Sequence, residues 1–399
     1  MFNKRVFADY ASTAPLSKEV LYVMHGAARL GNPSAIYKEG LEAKRILEVA
    51  RVEIASALEV RKEEIYFTSG GTASNNLAIA GTIEARHAQG IPYDKIHVIT
   101  TPIEHSSILE CVREYQRRGV KVDFAEVNSE GIVSVESIKR KINSDTVLVS
   151  VMYANNEIGT IQPIHEIGEM IRATKKEKGS TPIFHVDACQ APLFLSLVRE
   201  NMRADLISLD GHKIYGPRGV GILFVKNGTK IRPILFGGGQ EKGLRPTTEN
   251  LSGIAGMACA LSAAVKNREK FSARMKLLRD YFILETERRF PEAVLNGSRE
   301  KRLQNNANFS FPWITDAEFA VISLDALGIA CSTKSSCLIG EEESYVVKTL
   351  EPMNPWRAKT TLRFTFGAQN TKRDILIVVK NLEKLKQTLT KNVAVAKNT

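Results

Sequence analysis

"EIYFTSGGTASNNLAIAGTIEARHA", residues 64–88, reads as a short run of β-formers, a pair of glycines and then a helical stretch. The same succession recurs along the chain. "KIHVIT" is followed by "SSILECVREYQRRG", "TVLVSVMYA" by "IHEIGEMIRATKKEKG", and "IFHVDA" continues the series. Short strands alternating with amphipathic helices predict an α/β fold whose largely parallel sheet is covered on both faces. Near "KGLRPTTENLSGIAGMACALSAAVK" the pattern changes to a long apolar-periodic helix suited to bridging two units. Beyond it, "NFSFPW", "AEFAVISLDALG", "TTLRFTFG" and the lysine-rich "DILIVVKNLEKLKQTL" predict a smaller α+β unit. The opening "RVFADY" is strand-like and suits either unit.

The 399 residues exceed what one core of ordinary size organises and suggest about two domains. No apolar run approaches the roughly 20 residues that cross a bilayer, and "MFNKRVFADY" lacks a signal-peptide core, so a cytoplasmic protein without a membrane partner is expected. Cysteines 111, 189, 259, 331 and 337 form no CxxC pair and no even framework, which disfavours structural zinc and disulfides. The formal net charge is +11, but the basic residues are spread rather than interleaved with aromatics, so direct nucleic-acid binding is not expected.

In open α/β sheets ligands bind at the carboxyl ends of the strands, and polar residues collect at those ends here. In "FTSGGTASNN", Gly70 and Gly71 lead into a helix whose N–H groups suit a phosphate, with Thr72 adding a hydroxyl; an ordinary capped turn is the plainer reading. "TTPIEHSSILE" puts His105 past a strand, "YANNEIG" supplies Asn156, and "FHVDACQ" supplies Asp187 and Gln190. In "SLDGHKIYGPRGVGILFV", Lys213 lies on a glycine-bracketed loop between apolar strands. Such a lysine is ordinarily solvated surface. Beside a phosphate cradle and a strand-end aspartate it also suits covalent attachment of pyridoxal 5'-phosphate (PLP), whose pyridinium nitrogen needs an acidic partner.

The ordered motifs "DYASTAP", "GNPSAIYKEG", "FTSGGTASNN", "IEHSSILE", "NNEIGTIQPI", "FHVDACQ", "DGHKIYGPRGVG", "GGGQEKGLRPTTEN" and "LRFTFG" resemble those of the cysteine desulfurases. These are PLP enzymes of fold type I in the class V aminotransferase group. The resemblance implies a mostly parallel seven-stranded sheet flanked by helices in a large PLP-binding domain, residues 16–257. It also implies a small α+β domain, residues 1–15 and 258–399, carrying the nucleophile loop at about 331–345. Lys213 is implied to hold the cofactor and take the substrate Cα proton, Asp187 to pair with the pyridine nitrogen, and His105 to stack on the ring and move protons. Gln190 and Asn156 would lie near the ring hydroxyl and the substrate. Gly71, Thr72, Gly211 and His212 would hold the phosphate, with Thr248 reaching it from the other subunit of a homodimer. Arg363 would grip the carboxylate of L-cysteine. In "STKSSC", Cys337 takes the nucleophile position, to carry a persulfide toward a protein acceptor such as an iron–sulfur scaffold or a sulfur carrier, and Cys331 falls in the core.

Several positions depart from that pattern. Asp210 replaces a small hydroxyl residue, Ala73 a glutamate, Tyr37 a histidine, Pro246 and Thr247 a Ser-Gly pair, and Lys334 a glycine. A carboxylate at position 210 repels a phosphate at short range, so it turns away, pairs with a basic neighbour or lowers cofactor affinity. Lys334 is a candidate to lower the Cys337 pKa. Glu341 to Glu343 suit either an exposed, solvated loop or a basic acceptor. A selenocysteine lyase or another class V lyase or aminotransferase would not need Cys337. A non-catalytic dimeric binding partner is the reading that Asp210 and Lys334 motivate.

Overall fold

The computed structural model describes residues 5–178, 182–334 and 343–397. The chain begins with β1 (Val6–Phe7), α1 (Lys18–Ala27), α2 (Lys38–Leu58), β2 (Ile65–Thr68), α3 (Gly71–His87), β3 (His97–Thr100), α4 (Ser106–Arg117) and β4 (Lys121–Phe124). It continues through α5 (Val135–Lys141), β5 (Thr146–Met152), α6 (Ile164–Lys178), β6 (Ile183–Asp187), α7 (Arg199–Met202), β7 (Leu206–Asp210), β8 (Gly221–Val225) and α8 (Leu251–Arg289). Then follow β9 (Val294–Leu295), β10 (Asn306–Ser310), α9 (Ala317–Ala326), β11 (Ile329–Ala330), α10 (Tyr345–Leu350), α11 (Pro355–Lys359), β12 (Thr361–Thr365) and α12 (Lys372–Lys397).

Seven strands form the main sheet in the order β2-β8-β7-β6-β5-β3-β4. β5 and β7 are buried along their whole length, as strands covered on both faces must be, and their near-continuous apolar runs reflect it. Only β8 runs against its neighbours. Because β8 is antiparallel to both β7 and β2, those two point the same way, and the turn after β2 opens on the same sheet edge as the ends of β5, β6 and β7. The register makes this concrete: Thr68 pairs with Gly221, which pairs with Asp210, while Met152 pairs with Asp187.

One apolar cluster packs α1, α2 and the first half of α8 against this sheet. A second gathers β10, β12, α9, α12 and the far half of α8, including Met275 and Phe282. At 39 residues, α8 is about 58 Å long and contributes to both. Phe282 on α8 meets Phe309, Phe364 and Phe366 edge-on or tilted, at centroid distances of 6.2, 4.9 and 5.3 Å. The opening strand is resolved in favour of the second cluster: β1 pairs in parallel with β11, Val6 facing Ile329. Asn306–Ser310 pairs with Thr361–Thr365, which brings Arg363 to the site edge from late in the chain.

Candidate active site

A cavity of about 240 Å³ opens where the ends of β5, β6 and β7 meet the first turns of α3 and α4, closed on the far side by Ala11, Ser12 and Arg363. A larger cleft, about 1050 Å³, adjoins it through the shared Thr72, His105 and Ser107. Each wall residue is placed by a local feature. Lys213 ends a short 3₁₀ turn, Gly211–Lys213, that follows β7. His105 is the N-cap of α4, accepting from Ser107 N–H. Gly70 precedes α3 at φ +137°, a conformation that favours glycine.

The Lys213 Nζ donates to the carbonyls of Ala11 and Ser12, both at 2.8 Å. The Asp187 carboxylate accepts from Cys189 N–H at 3.0 Å and from Asn75 Nδ2 at 2.8 Å. Asn75 Nδ2 also donates to Ser107 Oγ at 2.9 Å, and that hydroxyl lies 2.9 Å from His105 Nδ1. With its oxygen accepting from Asn75, Ser107 gives its proton to the ring, and Ser107 N–H donates to the same nitrogen at 3.2 Å. Nδ1 is therefore an acceptor and the ring proton sits on Nε2. Burial pushes the His105 pKa down, the Lys213 and Arg363 charges act the same way, and the opposing pull of Asp187 and Asp210 does not reverse it. The ring is neutral at neutral pH.

Arg363 is almost wholly buried. It donates to Asp9 at 2.7 Å, Ser12 Oγ at 2.8 Å and the Asn156 carbonyl at 2.9 Å, which fixes the plane of its guanidinium. Gln190 Nε2 donates to the Ala11 carbonyl at 3.1 Å. Among the described residues, four lining side chains keep a buried polar atom without a hydrogen-bond partner: Asn75 Oδ1, Asn156 Oδ1, His212 Nδ1 and Arg363 Nε. Buried polar atoms are ordinarily satisfied, so walls carrying four such atoms fit a polar guest. A lysine, a strand-end carboxylate, a stacking-capable histidine and a helix N-terminus around one such cavity fit PLP.

Of the residues expected from sequence, Lys213, His105, Gly71, Thr72, Asn156, Asp187, Gln190, His212 and Arg363 all line this cavity. Gly211 does not. It lies behind the wall, where an added Cβ would stand 2.8 Å from the Pro217 carbonyl. Thr248 is exposed and lies outside the lining, so within one chain it does not reach the cradle. Cys337, Glu341 and Glu342 fall within 335–342, outside the described residues. The segments on either side of that stretch are pinned at the site. Ser332 forms an antiparallel bridge with Arg363, while Ser344 Oγ donates to Glu157 Oε2 at 2.6 Å and Tyr345 donates to the Glu104 carbonyl. Glu104 is itself fully buried, its carboxyl pushed up to about 8, and it accepts from Thr101 and the Met152 N–H. Cys331 is buried, and burial raises its thiol pKa. Lys334, the candidate to lower the Cys337 pKa, places its ammonium 2.8 Å from Glu318 on α9, while Cys337 itself lies outside the described residues.

Asp9, Ser12, Asn75 and Ser107 are site residues that the motifs contained without revealing their roles. A signal for them exists only as spacing: Ser107 two after His105, and Asn75 one turn into the helix that starts at the glycines.

A lysine on the turn after a sheet strand, an aspartate at the end of its neighbour and an arginine reaching in from the second cluster define a fold type I PLP enzyme. The model of the class-V aminotransferase family matches residues 6–378. A cysteine desulfurase IscS of Clostridium botulinum (strain Hall) is 42% identical over 388 residues, covering 96% of this chain and 94% of that protein. One of Dictyoglomus turgidum is 39% identical over 387 residues, covering 96% and 95%. Among solved structures, a NifS-like protein superposes with a TM-score of 0.87 at 32% identity, covering 97% of this chain and 99% of that one. The chain belongs to the class-V aminotransferase family and, within it, to the cysteine desulfurases.

Proposed function

We propose that the chain converts L-cysteine to L-alanine and passes the sulfur, as a persulfide on Cys337, to a protein acceptor of iron–sulfur cluster assembly or thiolation. The observation that carries this reading is the convergence of Lys213, Asp187, His105 and Arg363 on one cavity with unpartnered polar walls. PLP, when bound, supplies a sink for the electron pair left at the substrate Cα. The remaining work falls to the protein. Arg363 takes the substrate carboxylate in its planar fork. Asp187, oriented by Asn75 and Cys189 N–H, holds a proton on the pyridine nitrogen. Lys213 Nζ removes the Cα proton, and neutral His105 offers its Nε2 proton toward the cavity. The Cys337 thiolate bonds to the substrate sulfur as the substrate's C–S bond breaks, the bonding pair goes to carbon, and protonation there leaves alanine.

The working unit in this reading is a homodimer in the reducing cytoplasm, with Thr248 reaching the phosphate of the partner site. Residues 16–257 form the large domain and residues 1–15 with 258–399 the small one, in keeping with the two apolar clusters. Among the described residues no helix is long and apolar enough to cross a membrane.

The experiment is to follow alanine and sulfide from L-cysteine with a thiol reductant present. Equal yields of the two are expected, and pyruvate in place of alanine overturns the assignment. Two variants sharpen it. Arg363→Lys keeps the charge and loses the fork, so KM for L-cysteine rises roughly 10- to 100-fold with a smaller change in kcat; an unchanged KM in steady-state assays removes Arg363 from substrate binding. Asp187→Asn keeps the shape and loses the charge beside the pyridine nitrogen, so kcat falls roughly 10²- to 10³-fold with cofactor still bound. Single-turnover absorbance traces locate that loss in the chemical step, and a wild-type rate in the variant contradicts the role.

A further inference from the structure

Asp210 ends β7 and reaches across to the mouth of α3. Its Oδ2 accepts from Gly71 N–H at 2.7 Å, its Oδ1 accepts from His212 N–H at 3.3 Å, and His212 Nε2 stands 3.4 Å from Oδ2. α3 has no side-chain cap of its own, because Gly70 occupies the N-cap position. The Asp210 carboxylate, supplied from another strand, therefore serves the orphan N–H and the positive end of a 17-residue helix. Burial alone would raise its pKa. The hydrogen bond and charge of His212, the Gly71 N–H and the Lys213 charge outweigh burial and hold it below the ordinary aspartate value. The residue is 9% exposed, and there is no slack around it: a Cβ built on Gly71 would lie 2.8 Å from Cys189 Sγ and 3.0 Å from Asp210 Oδ2.

The donors that Asp210 uses are those a cofactor phosphate needs at this end of the cavity. Two anions cannot hold the same N–H groups, and like charges at contact disfavour each other strongly in a buried site. We propose that Asp210 is an internal counter-ligand of the cofactor phosphate. It caps α3 in the cofactor-free chain, gives up that place when PLP binds, and so makes uptake of the phosphorylated cofactor weaker and more reversible than the rest of the cradle dictates. The inference rests on the reading of this cavity as the PLP site and adds a residue that tunes the affinity of that site. Pyridoxal, which carries no phosphate, does not meet the competition.

The test uses the full chain stripped of cofactor, with Asp210→Asn and Asp210→Ser beside wild type. PLP and pyridoxal affinities are measured by absorbance titration, and melting temperatures are taken with no cofactor and with saturating PLP. The expected result is PLP binding about tenfold tighter or more in both variants, with pyridoxal binding unchanged. The melting temperature falls by about 1–4 °C without cofactor, as for a lost helix cap, and rises relative to wild type with PLP. A merely structural aspartate would lower both melting temperatures. PLP affinity that is unchanged or weaker in both variants, with pyridoxal affinity unaltered, overturns the proposal and leaves the PLP site standing. If neither wild type nor the variants bind PLP or pyridoxal, the reading of the cavity falls and the proposal falls with it.

Discussion

Cys337→Ala abolishes alanine and sulfide formation from L-cysteine, by roughly 10³-fold or more, while leaving the cofactor in place and its absorbance responsive to the substrate. The expectation follows from a division of labour. The cavity residues bind L-cysteine and labilise its C–S bond; of the other four cysteines only Cys189 lines the cavity, and all four are held as thiols. Cys331 is buried in the second cluster, with burial raising its thiol pKa. Burial also raises the Cys189 pKa, and the charges of Asp187 and Asp210 push it the same way. Cys111 sits in the packing between α3 and α4, pushed up to about 12. Cys259 lies on α8, partly buried against the first cluster, its pKa also raised by burial. Thiolate is the reactive form, and each of these sites works against it. Full sulfide release by Cys337→Ala would transfer the role to another thiol or remove it from the reaction.

Lys213→Ala is the second large effect. It removes both the covalent hold on PLP and the base for the Cα proton, so turnover falls by roughly 10⁴-fold or more. Among the described residues, none near the cavity substitutes. His105 is neutral but already accepts at Nδ1 from Ser107 and carries its proton on Nε2, so it is a donor toward the cavity rather than a base. Borohydride fixes the cofactor to the wild-type chain and not to the variant, which a mass measurement reads directly. An added primary amine that restores part of the turnover to Lys213→Ala identifies the missing function as the amine. Borohydride fixation in the variant would move the attachment to another lysine.

The parts of this site that the sequence carried openly are those set by local geometry. Lys213 stands in a glycine-bracketed turn, Asp187 at the end of an apolar strand and Gly71 at a strand-to-helix turn, and each of these settings leaves a mark within ten residues of chain. What was not legible depends on pairing over distance. Asp9 is tied to Arg363 across 354 positions, Asn75 to Asp187 across 112, and no local pattern announces either pair. Lys334 illustrates the same limit: the sequence shows it three residues before Cys337, and only the fold shows Glu318 beside its ammonium. β4 escaped notice because it is an edge strand with no buried residue, so "KVDF" lacks the apolar run that marked its neighbours. β8 is legible as the apolar strand after Lys213, but its antiparallel direction is not: its apolar run resembles those of the parallel strands, and only the short connection from β7 hints at the reversal. Asp210 was visible as a departure, but whether it turned away or found a partner required the Gly71 N–H to be seen beside it.

The most direct test of the central claim is a single turnover. The full chain, loaded with PLP and free of reductant, is mixed with one equivalent of L-cysteine, quenched, alkylated and mapped by peptide mass. The peptide containing Cys337 is expected to gain the mass of one sulfur atom in step with the appearance of one alanine, and Cys111, Cys189, Cys259 and Cys331 to gain none. Alanine formed without sulfur on Cys337, or sulfur found on one of the other four cysteines, contradicts the claim.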